Sequence, residues 1–265
     1  MRVFVDGVAV NGPGLPDWEH ACRVLSGCAP YTAAPAVMPA APQLPAGERR
    51  RASLPIKFAV DLAAQAAAHA QADPEELGVV FGSANGDLHT VHQICEALAQ
   101  PEREVSPTRF HNSVHNASAG YWSIAVKAAL ASTSVAAQDD TFAAALLEGV
   151  MQVRAEGLSI MLAAYDVPGP PPLACACPTL AAFGVALVLR PAQTRMSRWW
   201  LEASVREGPP VATPMTVPEL EGLRAGVAAA RALPLLSAMA GQKPSNVDLA
   251  YAEDRRLHVE LSPCA

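Results

Sequence analysis

Short apolar runs alternate along most of this chain with longer stretches of helical spacing. Arg2 to Val10 is β-branched and stops at Asn11-Gly12-Pro13-Gly14, which reads as a strand closed by a turn. Asp17 to Leu25 places Trp18, Cys22 and Leu25 on one helical face, with Asp17 as its N-cap. From Cys28 to Pro55, Pro and Ala dominate and no period survives, so this segment reads as a surface excursion. Its basic run Arg49-Arg50-Arg51 reads as a solvated face, with a partner-docking patch as the second reading. Ile56 to Gln71 is helical, Leu77 to Phe81 a compact apolar strand, and Leu88 to Ala99 a second helix. Ser106 to His111 reads as a loop, Val114 to Ala129 as helix, Thr133 to Ala137 as a buried strand and Thr141 to Arg154 as helix. Leu158 to Tyr165 and Phe183 to Leu189 are further buried strands, separated by a turn at Pro168 to Pro172. The tail adds a strand at Trp199 to Arg206, a helical stretch from Val217 to Ala240 interrupted at Pro234, and a hairpin from Val247–Tyr251 and His258–Leu261. Buried strands alternating with helices predict an α/β domain whose sheet is covered on both faces.

Composition narrows the function classes. At 265 residues the chain suffices for one large domain or two small ones. Hydrophobic residues make up 51% and charged ones 17%, a globular balance. With 19 basic against 25 acidic residues, no basic surplus argues for nucleic acid or an anionic membrane. No uncharged apolar run approaches the roughly 20 residues of a membrane helix. Asp6 stands where a signal peptide would be apolar, so a cytoplasmic location is expected. The six dispersed cysteines read as reduced thiols and mostly as small core residues, because Cys175-Ala176-Cys177 is too close for the usual CxxC spacing.

Three clusters bear on chemistry. Gly82-Ser83-Ala84-Asn85-Gly86 follows a strand, yet it matches neither the phosphate-binding nor the nucleophile-elbow patterns and reads as a strand-to-helix turn. His111 and His115 have the i, i+4 spacing that puts two ligands on one helix face, but no acid or cysteine nearby completes a metal set. Gln138-Asp139-Asp140-Thr141 closes a strand and opens a helix, where free N–H groups welcome a nucleophile or an anion. Adjacent carboxylates diverge, so by themselves these two acids read as helix caps.

The segment Phe110-His111-Asn112-Ser113-Val114-His115-Asn116-Ala117-Ser118-Ala119-Gly120 resembles the Ser-Val-x-Asn-x-x-x-Gly stretch of β-ketoacyl-ACP synthases. In that family a buried strand and the nucleophile turn follow shortly after, which places Ser132 to Thr141 there. The glycine turn at Gly82 and the strand at Phe183 also fall in family order. The resemblance covers about Arg2 to Pro191 and is closest to the short ketosynthase-like proteins of aryl-polyene (xanthomonadin-like) pigment clusters, regarded as chain-length-factor-type partners of an active ketosynthase. It implies a thiolase-like fold, with residues 1–191 as the N-terminal half of the ketosynthase fold and 192–265 as a shortened C-terminal remnant packed on it. The remnant, Gly226 to Ala240 with the terminal strands, is expected to cover the helix that starts at Thr141.

The departures from the family define the functional expectation. The family's catalytic cysteine belongs at or beside Asp139, where this chain has Gln138, Asp139 and Asp140. A thiolate there is stabilised by helix-start N–H groups; a carboxylate repels the developing oxyanion. The family's catalytic histidines and lysine lie in the half that is mostly missing, and after Pro191 the only histidine is His258. The resemblance therefore implies a chain with no condensing activity of its own. It implies a heterodimer with a full-length ketosynthase, contact with acyl carrier protein through that partner, and a homodimer as the alternative in isolation. Interface or acyl-pocket wall is expected at Phe110, His111, Asn112, Ser113, His115, Asn116, Thr133, Ser134, Val135, Ala136 and Ala137. No cofactor and no metal are expected. The competing readings are a decarboxylase of malonyl-ACP, suggested by Gln138, and a homodimeric scaffold with no acyl role.

Overall fold

One mixed sheet of eight strands, in the order β3-β2-β4-β5-β1-β6-β8-β7, organises the protein. The computed structural model describes residues 2–209 and 211–265. The strands are β1 (Arg2–Asn11), β2 (Gly78–Gly82), β3 (Ser132–Val135), β4 (Ile160–Asp166), β5 (Phe183–Arg190), β6 (Trp199–Glu207), β7 (Ser245–Tyr251) and β8 (Arg255–Pro263). Between them run α1 (Trp18–Leu25), α2 (Ala46–Arg51), α3 (Leu54–His69), α4 (Leu88–Leu98), α5 (Pro107–Ser113), α6 (Ala117–Val126), α7 (Thr141–Glu156), α8 (Pro171–Ala174), α9 (Pro218–Gly226) and α10 (Leu233–Gly241). β2 runs parallel to β3 and β4, and every other pairing is antiparallel.

Two cores lie on opposite faces. Helix α3 crosses β1, β4 and β5 and packs on α6. It comes so close that a Cβ on Gly184 would stand 2.3 Å from Leu62 Cδ1, and one on Gly7 2.3 Å from the Ala66 carbonyl. On the other face α7 buries Phe142, Leu146, Val150 and Val153. β4 and β2 are accordingly buried at every position, as strands covered on both sides should be. β6 alternates instead, with Trp199, Leu201 and Ala203 buried and Trp200, Glu202 and Ser204 half-exposed, because its second face meets water.

Residues 192–265 extend the same sheet, since β6 pairs with β1 over Arg2–Val5. The 3-10 turn at Ala229–Ala232 and strand β7 both pack on α7, as does β3 at the opposite end of the sheet. These segments cover α7, and the sheet curls until its two ends meet that helix.

Several expectations are corrected. Ser106 to His111 is not a loop: Pro107 sits in the first turn of α5, where its missing N–H costs nothing. The following helix starts at Ala117, because Val114 is extended, and stops at left-handed Lys127. The surface excursion contains α2, and the turn at Pro171 closes into the short α8. The break in the Val217–Ala240 stretch lies at extended Val227, while Pro234 opens α10. None of the cysteines is fully buried: Cys28, Cys95 and Cys175 are exposed and the other three half-buried, so they are not core residues. β3 is not a buried strand but an edge, with Ser132 exposed and Thr133, Ser134 and Val135 half-buried.

Candidate functional site

The turn between β3 and α7 is where the resemblance places the family's nucleophile. Gln138 adopts a left-handed conformation, φ 49°, and so turns the chain sharply from strand into helix. Thr141 locks the turn: its Oγ1 donates to the Gln138 carbonyl at 2.6 Å and accepts from the Ala137 N–H at 3.0 Å. Asp140 occupies the N-cap position of α7, but neither it nor Asp139 makes the side-chain capping hydrogen bond that the sequence suggested. The two carboxylates do not diverge either, because both reach Arg231. Asp139 Oδ2 lies 2.8 Å from one guanidinium nitrogen and Asp140 Oδ1 3.4 Å from another. Asp140 Oδ2 also accepts from the Ala252 N–H in the β7–β8 turn at 2.9 Å. Two acids and an arginine therefore occupy the space before the helix start, and no thiol or hydroxyl nucleophile is presented there.

Behind this turn sits a buried carboxylate that sequence reasoning missed. Asp166 ends β4 at 3% exposure. Its Oδ1 accepts from the Ala84 N–H at 2.8 Å and from Ser83 Oγ at 3.2 Å, and its Oδ2 accepts from the Ala229 N–H at 2.9 Å. Burial pushes its pKa up to about 6, and the donated hydrogen bonds hold it from rising further. Asp166 thus ties the Gly82–Gly86 turn to the 3-10 turn that carries Arg231. A small cavity of about 170 Å³ remains between them, lined by Ala84, Asn85, Asp139, Thr179, Gly226 and Ala228. Its only titratable side chain is Asp139.

The Phe110–Gly120 segment does not form one histidine face. His111 sits in the last turn of α5 and lies edge-on to Tyr121, with ring centroids 5.8 Å apart, whereas His115 lies past the extended Val114 and makes a 2.9 Å hydrogen bond to the Ser83 carbonyl. Among the described residues no group of three His, Cys, Asp or Glu is placed to hold a metal ion. Asn112 is buried, donating to the Arg51 carbonyl and accepting from the Tyr121 hydroxyl. Ser113 is half-buried and donates to the Phe110 carbonyl, while Phe110, His111 and Asn116 are exposed. Ala136 is exposed and Ala137 half-buried after β3.

The sequence pattern of the β-ketoacyl synthase N-terminal domain matches residues 24–233. The chain belongs to that family. Solved ketosynthase structures share its fold over nearly its whole length. One chain of a ketosynthase (ApeO) in complex with its chain length factor (ApeC) from Xenorhabdus doucetiae is 22% identical, with a TM-score of 0.73 over 98% of this chain and 99% of that one. A chain of the ishigamide ketosynthase/chain length factor is 13% identical, with a TM-score of 0.71 and complete coverage of both. A chain of AntDE:AntF, a type II polyketide synthase acyl carrier protein complexed with its ketosynthase, is 11% identical, with a TM-score of 0.76 and 99% coverage of both. No curated protein is similar enough to be matched. The architecture is the thiolase-like fold of ketosynthases.

Within this family member, the side chains that organise the site are Asp166 and Arg231. Each left a trace in the sequence. Asp166 follows an otherwise apolar strand, and Arg231 is the only charge between Val227 and Ala240. An isolated charge in such surroundings needs a partner.

Proposed function

We propose that this ketosynthase homologue is the non-catalytic, chain-length-factor-type partner of a full-length β-ketoacyl synthase in fatty-acid- or polyketide-like, aryl-polyene-type biosynthesis. One contrast carries the reading. The nucleophile turn is filled by Asp139, Asp140 and Arg231, while the β3 edge is unpaired and ringed by apolar side chains. Ile124 on α6, Leu130 before β3 and Met151 on α7 are 47%, 41% and 41% exposed, and Phe110 on α5 and Val114 just past its end are exposed as well. Helices α6 and α7 both touch β3, so these groups flank a strand able to accept another strand. The ketosynthase complexes that share its fold contain a chain length factor or an acyl carrier protein as partner.

In this reading Thr133 to Ala137 meet the equivalent strand of the ketosynthase. Phe110, His111, Ser113, His115 and Asn116 form interface or the wall of its acyl chamber, and Asn112 supports that wall from inside. Residues 1–191 are the ketosynthase-like half, 192–265 its reduced complement, and the acyl carrier protein docks through the partner in the cytoplasm. No helix among the described residues is long and apolar enough to cross a membrane.

The test is co-expression with a full-length ketosynthase from the same biosynthetic context, measuring complex formation and product length. We expect a stable heterodimer, a product whose length changes with Ser113→Trp, and no condensation by this chain alone, even as Asp139→Cys. A ketosynthase that makes the same product at the same rate without this chain overturns the reading. Release of carbon dioxide from malonyl-ACP by the isolated chain would instead make it a decarboxylase.

A further inference from the structure

Two adjoining cavities, of about 360 and 660 Å³, open beside β1. They arise from the sheet itself. β6 pairs with β1 only over Arg2–Val5, so from Val8 onward no strand covers that side of β1. Helices α1 and α3 flank the gap. His69 from the end of α3 takes the place of the missing strand, its Nδ1 lying 2.9 Å from both the backbone nitrogen and the carbonyl oxygen of Val8. Trp18, Cys22 and His69 line both cavities, which therefore adjoin at these side chains.

The lining has two chemistries. The floor is apolar: Trp18 and Trp199 meet edge to face, with ring centroids 6.2 Å apart and planes at 80°, beside Val8, Ala9 and Pro263. The two cysteines belong to this floor. Burial, reinforced by Cys28 for Cys22 and by Asp6 for Cys264, raises both thiol pKa values and keeps them neutral and poorly nucleophilic. Each cavity also carries one exposed arginine: Arg198 lines the smaller, and Arg23 lines the larger together with Glu19, the one carboxylate in either lining. Arg23 touches His20 at 3.4 Å, and neither arginine has a carboxylate partner among the described residues. On a chain with a formal charge of −6, that local excess is a departure from the average surface.

We infer that this double cavity binds an amphipathic anion, its apolar body against the Trp18–Trp199 pair and its carboxylate- or sulfonate-type head drawn by the arginines of the two linings, Arg198 in the smaller cavity and Arg23 in the larger. The volume is that of sites for small organic ligands, and a few polar groups around an apolar floor are what orient such molecules. Arginine over an apolar pocket recognises planar anionic heads through paired N–H donors. The site is separate from β3: β1 lies four strands away, roughly 19 Å across the sheet. It therefore stays open when a partner covers β3, and it stands independently of the function proposed above.

The experiment uses 8-anilinonaphthalene-1-sulfonate as probe, read by energy transfer from tryptophan in the intact chain. One saturable site is expected, weakening as salt rises because the two arginines are solvent-facing. Arg23→Ser combined with Arg198→Ser should lower affinity about tenfold, the loss of one or two charge-assisted contacts. Cys22→Trp, which narrows the shared wall, should lower it as well. Decanoate should displace the probe, and decyltrimethylammonium at equal concentration should not. Unchanged affinity in the double arginine variant, equal displacement by the cationic amphiphile, or no saturable binding by the parent chain would each overturn the assignment. The double variant alters exposed side chains and keeps the test decisive if Cys22→Trp fails to fold.

Discussion

The sheet has two edges, and they are finished differently. β7 is closed by the chain's own segment: the Thr213 N–H donates to the Asp248 carbonyl at 2.8 Å, and the Asp248 N–H donates to Thr213 Oγ1 at 2.9 Å. The water-facing side of β7, β8 and β6 carries Asp248 with His258 at 2.7 Å and Arg256 at 3.5 Å, and Glu260 with Arg206 at 3.4 Å. Charges on an edge discourage another strand from adding. β3 has neither device. Its residues are Ser132, Thr133, Ser134 and Val135, no described segment lies beyond them, and the exposed apolar groups that flank it include Ile124, Leu130 and Met151. One edge is protected by the fold and the other is left open.

The sharpest way to break this contrast is backbone chemistry at β3. The Val79 N–H donates to the Ala131 carbonyl and the Ser83 N–H to the Val135 carbonyl, so by strand alternation Thr133 and Val135 face β2 while Ser134 faces outward. Ser134→Pro removes an outward N–H and should weaken ketosynthase association by about 3 kcal/mol, or about a hundredfold, with the melting temperature little changed. Val135→Pro should instead disrupt the β2 pairing and destabilise the chain itself. Equal association by the Ser134→Pro variant in analytical ultracentrifugation would place the interface elsewhere.

A smaller effect separates the doubly covered half of the sheet from the water-facing half. Asp166→Asn cannot accept on both oxygens, so the link to Ala84 or the link to Ala229 is lost, at a cost of about 1–3 kcal/mol by urea unfolding at pH 7. The pH dependence follows from the raised pKa. Asp166 binds its proton more tightly folded than unfolded, so its stabilising contribution is complete below about pH 4 and falls as pH rises through about 6. Raising pH from about 5 to about 7 should cost the parent chain about 1 kcal/mol more than the Asn variant. Equal pH profiles for the two chains would remove Asp166 as the source.

The smallest effect is expected at the protected edge. Thr213→Val loses the hydroxyl that accepts from the Asp248 N–H and should cost about 1 kcal/mol of stability while leaving ketosynthase association unchanged. Loss of association in that variant would mean that the β7 edge, rather than β3, carries the contact.

Much of the fold was legible in the chain because it depends on local period. The helix starting at Thr141, the apolar strands at Leu77, Leu158 and Phe183, the Asp17 cap and the C-terminal hairpin all emerge where expected. The errors fall where context overrode composition. Pro107 and Pro171 look like loop residues and instead open short helices, and Thr133 to Ala137 read as core although that stretch is an edge. The site was half legible. The missing nucleophile at Gln138, Asp139 and Asp140 is a matter of residue identity. The convergence of both acids on Arg231, about 90 residues away in sequence, depends on the sheet curling around α7.

The sequence alone determined which residues are apolar, where strands and helices alternate, and that no thiol follows β3, because these depend on residue type and short-range period. Only the tertiary structure decided that β1 keeps an open flank filled by His69, that Asp166 joins two turns from within the core, and that β3 is exposed while β7 is closed. Each of these depends on which strands become neighbours, and strand order is set by long-range pairing that no local pattern encodes.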